Sequence, residues 1–253
     1  MYVEKLDEAV LAGQLRAEEG RLLDRFERYA ADILDRYVPP GLRRGDSLVF
    51  AELYAAGVTP PAEEPRRRLI AALLAGETEA RGPLRLTRAQ SIRLAEVFER
   101  LGAGLGRERL PLHAAHAFDR AAGLYLQVEE NGGRDRCLLA RSRARHRARP
   151  PGVVKALEAV SDLLAGYGYQ PYRLFGFVLV QLAVFILLLT QISDTAVGQD
   201  AYMVLMNYLN PLGFGDTRDM PHSTWVLFVI EGYSGSVSLS IFFALLVRKW
   251  FRL

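Results

Sequence analysis

The chain has 253 residues, of which 32 are Lys or Arg and 29 are Asp or Glu, so its formal net charge is +3. This length allows one or two domains, and so small a net charge argues against a dedicated nucleic-acid-binding protein. Half of the residues are hydrophobic, which excludes a disordered chain, and the single Cys137 excludes both a disulfide framework and a zinc site built from several cysteines.

Residues 1–150 are rich in charge and carry helical apolar spacing almost throughout. The first ten residues contain acids and no apolar run, so they do not form a cleavable signal peptide. The spacing predicts helices at about 3–37, 45–57, 64–75 and 134–148, around a helix pair within 95–128. We therefore predict an all-α cytoplasmic domain over residues 1–150.

The helix pair within 95–128 has apolar and small residues at the spacing of a tetratricopeptide repeat. These residues are Phe98, Leu101, Gly102, Leu105, Ala114, Phe118 and Ala121. The small ones allow two helices to approach, and the large ones fill the space between them. Leu126 replaces the terminal proline of the pattern, and one repeat is found where stable arrays need about three. The domain is therefore predicted to be tetratricopeptide-like, with a protein or peptide partner, and a generic helical bundle is the alternative.

Arginines recur shortly before the apolar half of the chain. Those predicted to face lipid are Arg141, Arg143, Arg145, Arg147 and Arg149. Bases beside a membrane attract anionic headgroups, although a positive flank that only sets membrane orientation explains the same pattern. We expect membrane lipids as partners here and no nucleic acid.

Residues 151–173 follow as an amphipathic helix and a turn. Apolar residues lie on one face of this helix, namely Val153, Ala156, Leu157, Val160, Leu163 and Leu164. Such a helix is predicted to lie along the inner membrane face and to couple the helical domain to the first span.

Two segments are long and apolar enough to cross a bilayer, residues 174–192 and 224–247, and the only charge within either is Glu231. Basic residues precede the first span and follow the second, whereas the loop between the spans holds four aspartates and one arginine. The distribution predicts a two-span protein of the cell membrane with both termini cytoplasmic.

The loop between the spans contains a further apolar run, residues 200–210, that is too short to cross a membrane. Asp200 suits the N-terminal end of a helix, and Pro211 ends it. We predict a re-entrant helix, followed directly by Leu212, Gly213, Phe214, Gly215 and Asp216.

This arrangement of span, short helix, glycine-containing segment and span resembles the pore module of the potassium channel family. The family's filter has the sequence Thr-Val-Gly-Tyr-Gly-Asp, which residues 212–216 match with Leu for Val and Phe for Tyr. The resemblance covers residues 174–253. It implies a homotetramer in which backbone carbonyls of Leu212, Gly213 and Phe214 coordinate K⁺ as the permeant ion. No cofactor is implied.

Two departures concern the inner end of this filter. Pro211 and Asn210 stand where the family commonly has threonines, so a ring of hydroxyl oxygens is missing. A non-selective cation pore is therefore one alternative. The other is a membrane-anchored helical scaffold whose pore-like hairpin does not conduct.

Further roles follow from the resemblance for residues of the second span and the loop. Gly235 is predicted as the hinge of the inner helix, and an apolar gate is predicted at Phe243, Leu246 and Val247. Glu231 is predicted to brace the filter, with Arg218 and Asn210 as further support, or else to reach the outer interface. The sequence contains no phosphate-binding glycine loop, no nucleophile elbow and no metal-ligand spacing around its four histidines, so we expect no enzyme.

Overall fold

The computed structural model describes residues 2–39, 47–58, 64–166, 171–193, 196–209 and 222–251. All regular elements in these residues are α-helices, which confirms the predicted all-α class. They are α1 (Tyr2–Leu11), α2 (Leu15–Arg36), α3 (Ala51–Val58), α4 (Pro65–Arg81), α5 (Arg88–Arg107), α6 (Pro111–Gln127), α7 (Asn131–Ala148), α8 (Val153–Ala165), α9 (Pro171–Ile192), α10 (Val197–Leu209) and α11 (His222–Phe251).

The helices belong to two compact units, and the division falls inside α8. The N-terminal unit extends to Glu158, and the C-terminal unit begins at Ala159. Each unit has its own apolar core.

The predicted helix 3–37 is wrong as a single element, because the chain turns between α1 and α2. Gly13 adopts a φ of +68°, a left-handed conformation that suits glycine and ends α1. The amide of Gln14 then donates to the carbonyl of Ala9, as in a helix C-cap. The turn lets the two helices fold against each other instead of continuing as one.

Three other helix boundaries also differ from the predicted ones. Helix α3 begins at Ala51 instead of 45, and α7 begins at Asn131 instead of 134. Helix α4 continues to Arg81 instead of ending at 75, although Glu77, Thr78 and Glu79 interrupt its apolar pattern. These polar residues are buried and paired, so they extend the helix where an apolar pattern predicts its end.

The core of the N-terminal unit centres on α4, α5 and α6, with α1, α2 and α3 packed around them. Helix α5 begins with a capping box between Thr87 and Gln90. Leu94, Phe98, Leu101 and Leu105 lie on its buried face and have no exposed surface. This face is the one predicted for the helix pair.

Helices α5 and α6 approach closely where their small residues lie. A Cβ atom on Gly102 would come within 2.9 Å of the Phe118 ring, so only glycine admits that ring. Ala114 and Ala121 are also buried. The predicted packing of the pair is therefore present, and a helix pair of any family would need it.

Buried acids connect the helices of this unit. Glu19 of α2 accepts hydrogen bonds from the amides of Leu112 and His113 at the start of α6, at 2.7 and 3.1 Å. Glu77 of α4 accepts from Arg120 Nε at 2.7 Å and lies 2.9 Å from His116 Nε2. Burial opposes ionisation of Glu77, but these partners still hold the pKa of its carboxyl below the usual value.

The C-terminal unit consists of the end of α8 followed by α9, α10 and α11. Helices α9, α10 and α11 pack against one another in all three pairs. Their shared core contains Phe185 and Leu189 of α9, Val204 of α10 and Phe228 of α11. This small core positions the site described next.

Candidate functional site

Two helices of the C-terminal unit are long and apolar enough to cross a membrane. They are Tyr172–Ile192 within α9 and Thr224–Val247 within α11. Both match the predicted spans, and most of their large apolar side chains are exposed. The rest of the site consists of the polar groups that these two helices bury against α10.

The first turn of α10 is anchored next to the end of α9. Asp200 is fully buried, and its two carboxylate oxygens lie 2.9 and 2.8 Å from the Ser193 hydroxyl, which donates to this carboxylate. The negative charge also suits the N-terminal end of a helix dipole. This contact joins the start of α10 to the end of α9.

The last turn of α10 lies beside the middle of both long helices. Tyr208 has no exposed surface, and its hydroxyl donates to Gln181 Oε1 at 3.2 Å. Ser238 of α11 also donates to this oxygen, at 3.4 Å. Measured along the axis of α9, Gln181 lies about 16 Å before the end of the helix. Helix α10 thus reaches mid-length of both candidate spans.

Helix α11 accommodates the end of α10 at a glycine. A Cβ atom on Gly235 would lie 3.0 Å from the Tyr208 carbonyl oxygen and 3.1 Å from the Tyr208 ring. Glycine at this position therefore allows a close approach of two helices. Helix α11 continues through Gly235 to Phe251, and the hinge predicted at this glycine stays a prediction.

A buried amide–carboxylate pair joins α10 to α11 one turn away. The Asn207 side-chain amide donates to Glu231 Oε2 at 3.0 Å and to the carbonyl of Phe228 at 2.9 Å. Glu231 has no exposed surface. Its second oxygen, Oε1, has no hydrogen-bond partner among the residues that the structure describes. A buried carboxylate oxygen without a donor is costly, so this atom is the part of the site that calls for a partner.

The predicted filter residues lie outside the described part of the chain. They are Asn210, Pro211, Leu212, Gly213, Phe214, Gly215 and Asp216, together with Arg218. Their predicted K⁺ coordination and the predicted pairing of Arg218 with Glu231 therefore stay predictions. Leu209, the last residue of α10, directly precedes this segment in the sequence.

The residues predicted to form the gate lie in the last part of α11. Phe243 and Val247 are 60% and 46% exposed in the single chain, and Leu246 is half-buried. The ring of Phe242 packs against Phe175 of α9, with centroids 5.9 Å apart. The gate residues are thus available for contact with something other than their own chain.

Arg141 and Arg149, which belong to the run predicted to face lipid, are paired with acids of their own unit. Arg141 lies 3.0 Å from Asp119, and Arg149 forms an ion pair with Glu158. Arg143 is half-buried, while Arg145 and Arg147 are exposed. Arg145 and Arg147 are therefore the arginines of this run that are most available for contact with lipid headgroups.

Gln181, Asn207 and Tyr208 were not predicted from the sequence as site residues. Gln181 carried a usable signal, because a polar side chain in the middle of an uncharged apolar run is costly unless it is bonded. Asn207 and Tyr208 carried none, since polar and aromatic residues are ordinary on a short helix. Only the fold brings them to Glu231 and Gly235.

Within the described ranges, no group of three or more His, Cys, Asp or Glu side chains could hold a metal ion. The chain matches no protein-family model, no curated protein and no solved structure.

Proposed function

We propose that this chain is the subunit of a homotetrameric, two-span channel of the cell membrane that conducts potassium. The observation that carries the proposal is the position of α10. Its last turn lies beside Gln181 and Gly235, near the middle of two helices long enough to cross a bilayer. A helix that ends there delivers the following residues, from Asn210 onward, to the interior of the membrane, so α10 acts as a re-entrant pore helix.

The chemistry of residues 212–216 suits that location. Irregular backbone is tolerated at membrane depth only where protein or a water-filled path surrounds it. Alternating glycines let successive carbonyls face one path, and rings of carbonyls replace the hydration shell of K⁺. The C-terminal end of α10 adds a negative helix-dipole end nearby, which favours a cation. Because one chain offers only one carbonyl per level, four chains are needed to close each ring.

Glu231 has a supporting role in this proposal. Asn207 holds one of its carboxylate oxygens and thereby fixes the carboxylate next to the end of α10. The unpartnered Oε1 accepts a hydrogen bond from the filter segment or pairs with Arg218. Either contact would brace the filter from behind.

The exposed apolar faces of α9 and α11 supply the contacts that the tetramer and the lipid require. They include Leu179, Val180, Leu187, Val226, Ile230 and Val237. Farther along α11, Phe243 and Val247 provide an apolar constriction that gates by dewetting.

The N-terminal unit is, in this proposal, a cytoplasmic tetratricopeptide-like domain that binds a protein or peptide and regulates the pore. The all-helical packing of α5 and α6 and the arginines that precede α8 support this assignment. Both chain termini then lie in the cytoplasm.

A reversal-potential measurement tests the channel function. Purified full-length protein is placed in planar bilayers with potassium on one side and sodium on the other. We expect a current that reverses near the potassium equilibrium potential. Reversal near zero would identify a non-selective cation pore. An inserted protein that carries no current would leave the helical scaffold as the function.

The oligomeric state provides an independent check. Native mass measurement in detergent and in lipid nanodiscs is expected to show four chains. A monomer or dimer in both environments contradicts the channel, because neither can surround an ion with carbonyl rings.

A further inference from the structure

The N-terminal unit contains a groove of about 430 Å³ that is lined by residues of this unit alone. It lies between the end of α4, the second half of α6 and the start of α7. Pockets for small molecules commonly have volumes of about 300–1,000 Å³. The groove is therefore large enough for one small ligand.

Three arginines from three different helices line this groove: Arg81 of α4, Arg120 of α6 and Arg134 of α7. Glu77 anchors two of them from the side of the core. It accepts from Arg120 Nε at 2.7 Å, and its other oxygen lies 3.7 Å from Arg81 Nη1. The contact through Nε orients the Arg120 guanidinium and leaves its terminal nitrogens without a bond to the described residues.

Arg134 has no side-chain hydrogen bond or ion pair within the described part of the chain, and it is half-buried at the groove. The lining contains one acid, Asp119, whose charge is offset by Arg141 at 3.0 Å. Glu77 offsets one of the three arginine charges, so the groove keeps a surplus of positive charge. An anion is the ligand that this charge favours.

Part of the groove lining is apolar. Leu126, which is 52% exposed, and Leu138 line it. Gly123 of α6 also lines it, and a Cβ atom added there would meet no other atom within 4 Å. The groove therefore offers open space beside apolar side chains, within the same lining as the three arginines.

We infer that this groove binds a phosphorylated small molecule of nucleotide size. The planar guanidinium groups of Arg81, Arg120 and Arg134 hold the phosphate through paired hydrogen bonds. The wall formed by Leu126 and Leu138 takes an apolar ring of the same ligand. The inference concerns the N-terminal unit alone and does not depend on the proposed conduction of ions.

Calorimetric titration of the full-length protein in a maltoside detergent tests the inference. The probes are adenosine 5′-monophosphate, inorganic phosphate and adenosine, at low salt because exposed charges are screened at high salt. We expect saturable binding of the monophosphate with a Kd below about 1 mM, weaker binding of phosphate and none of adenosine. Absence of saturable binding of the monophosphate overturns the inference.

Substitution of Arg134 locates the site. Arg134→Ala removes a guanidinium that has no described structural partner, so the fold should be retained while Kd rises about tenfold or more. Arg145→Ala removes the same charge from an exposed position of the same helix and should leave Kd within about twofold. Equal effects of the two variants overturn the assignment to this groove.

A steric variant tests the site without a change in charge. Gly123→Leu places a side chain in open space at the groove, and it should abolish binding while thermal stability is maintained. Unchanged affinity in this variant contradicts the inference. Titration with phosphatidic acid tests whether the groove binds the phosphate group of a lipid instead of a soluble ligand. Binding of that lipid without binding of the monophosphate overturns the choice of a soluble ligand.

Discussion

The two units of the molecule bury their apolar residues to very different degrees. In the N-terminal unit, Leu94, Phe98, Leu101 and Leu105 have no exposed surface within a single chain. In the C-terminal unit, only 17% of the most apolar 18-residue stretch of α9 is buried, and only 28% of the corresponding stretch of α11. The first unit completes its core alone, whereas the second leaves its apolar surface to be covered by something else.

The buried polar groups of the two units also differ. Glu19 and Glu77 of the N-terminal unit are each held by several donors, including charged or titratable side chains. Glu231 of the C-terminal unit has one neutral donor, Asn207, and its second oxygen has no described hydrogen-bond partner. One oxygen of Glu77 also lacks a hydrogen bond, but it lies 3.7 Å from the Arg81 guanidinium. The comparison teaches that charged or titratable partners surround these buried acids of the first unit, whereas the described residues give Glu231 a single neutral donor.

The largest expected effect is the loss of conduction on substitution of Gly215. Gly215→Ala adds a methyl group that opposes the backbone angles required to align the carbonyls. Potassium current in planar bilayers should be abolished. Gly198→Ala is the matched control, because a Cβ atom there meets nothing within 4 Å, and it should conduct normally. Normal current and selectivity in Gly215→Ala would show that the filter lies elsewhere.

Core substitution in the N-terminal unit should lower its stability without affecting the C-terminal unit. Leu101→Ala deletes a fully buried side chain and should reduce the free energy of unfolding by about 2–5 kcal/mol. Amide hydrogen exchange of the full-length protein measures the loss in α5 and α6, with α9 and α11 unchanged. Leu11→Ala, at a position that is 86% exposed, is the control and should change stability by less than about 0.5 kcal/mol. Equal exchange in the two variants would contradict the buried core.

Packing of α10 on α11 should be sensitive to one added carbon atom. Gly235→Ala forces the Tyr208 backbone and ring to move, at a cost of about 1–3 kcal/mol. The thermal unfolding midpoint in detergent should fall accordingly. Gly176→Ala on α9 meets no atom within 4 Å and serves as the control. If both variants melt at the same temperature, α10 does not approach α11 at Gly235.

The pair of Asn207 and Glu231 should show energetic coupling. Asn207→Leu removes the described donor of the buried carboxyl group, and Glu231→Leu removes its acceptor oxygens. Each variant alone breaks the hydrogen bond, so the double variant should be less destabilised than the sum of the two single effects. The coupling measured in a double-mutant cycle should be about 0.5–1.5 kcal/mol. Ser240→Ala, at an exposed hydroxyl of α11, replaces Asn207→Leu in a control cycle and should show no coupling. Strict additivity of Asn207→Leu and Glu231→Leu would argue against the hydrogen bond.

The smallest expected effect is a pH dependence of the N-terminal unit. The pKa of Glu77 is lowered in the fold, so its ionised form adds stability above the usual carboxyl value of 4.5. That contribution is lost as pH falls below 4.5 through the lowered pKa. The wild type should therefore exceed Glu77→Gln in free energy of unfolding by the largest amount near neutral pH, and this difference should decrease in acid. Glu52→Gln, at an exposed position, should show no such pH-dependent gap. A gap that widens in acid would reverse the assigned sign.

The sequence by itself determined the helical class, the two long apolar helices and the short helix between them. These features depend on local composition and periodicity, which a linear chain displays directly. The buried face of α5 was predictable for the same reason. The single charge of the second span was also visible as an acid that needs a partner.

Only the tertiary structure decided which distant groups meet. Helix α4 continues past 75 because Glu77 and Glu79 find partners on other helices, which apolar spacing cannot register. The depth reached by α10 depends on the contacts of Tyr208 with Gln181 and Gly235, which are far apart in the chain. The free energy of a buried polar group is set by the donor that folding brings to it, and that donor has no fixed place in the sequence.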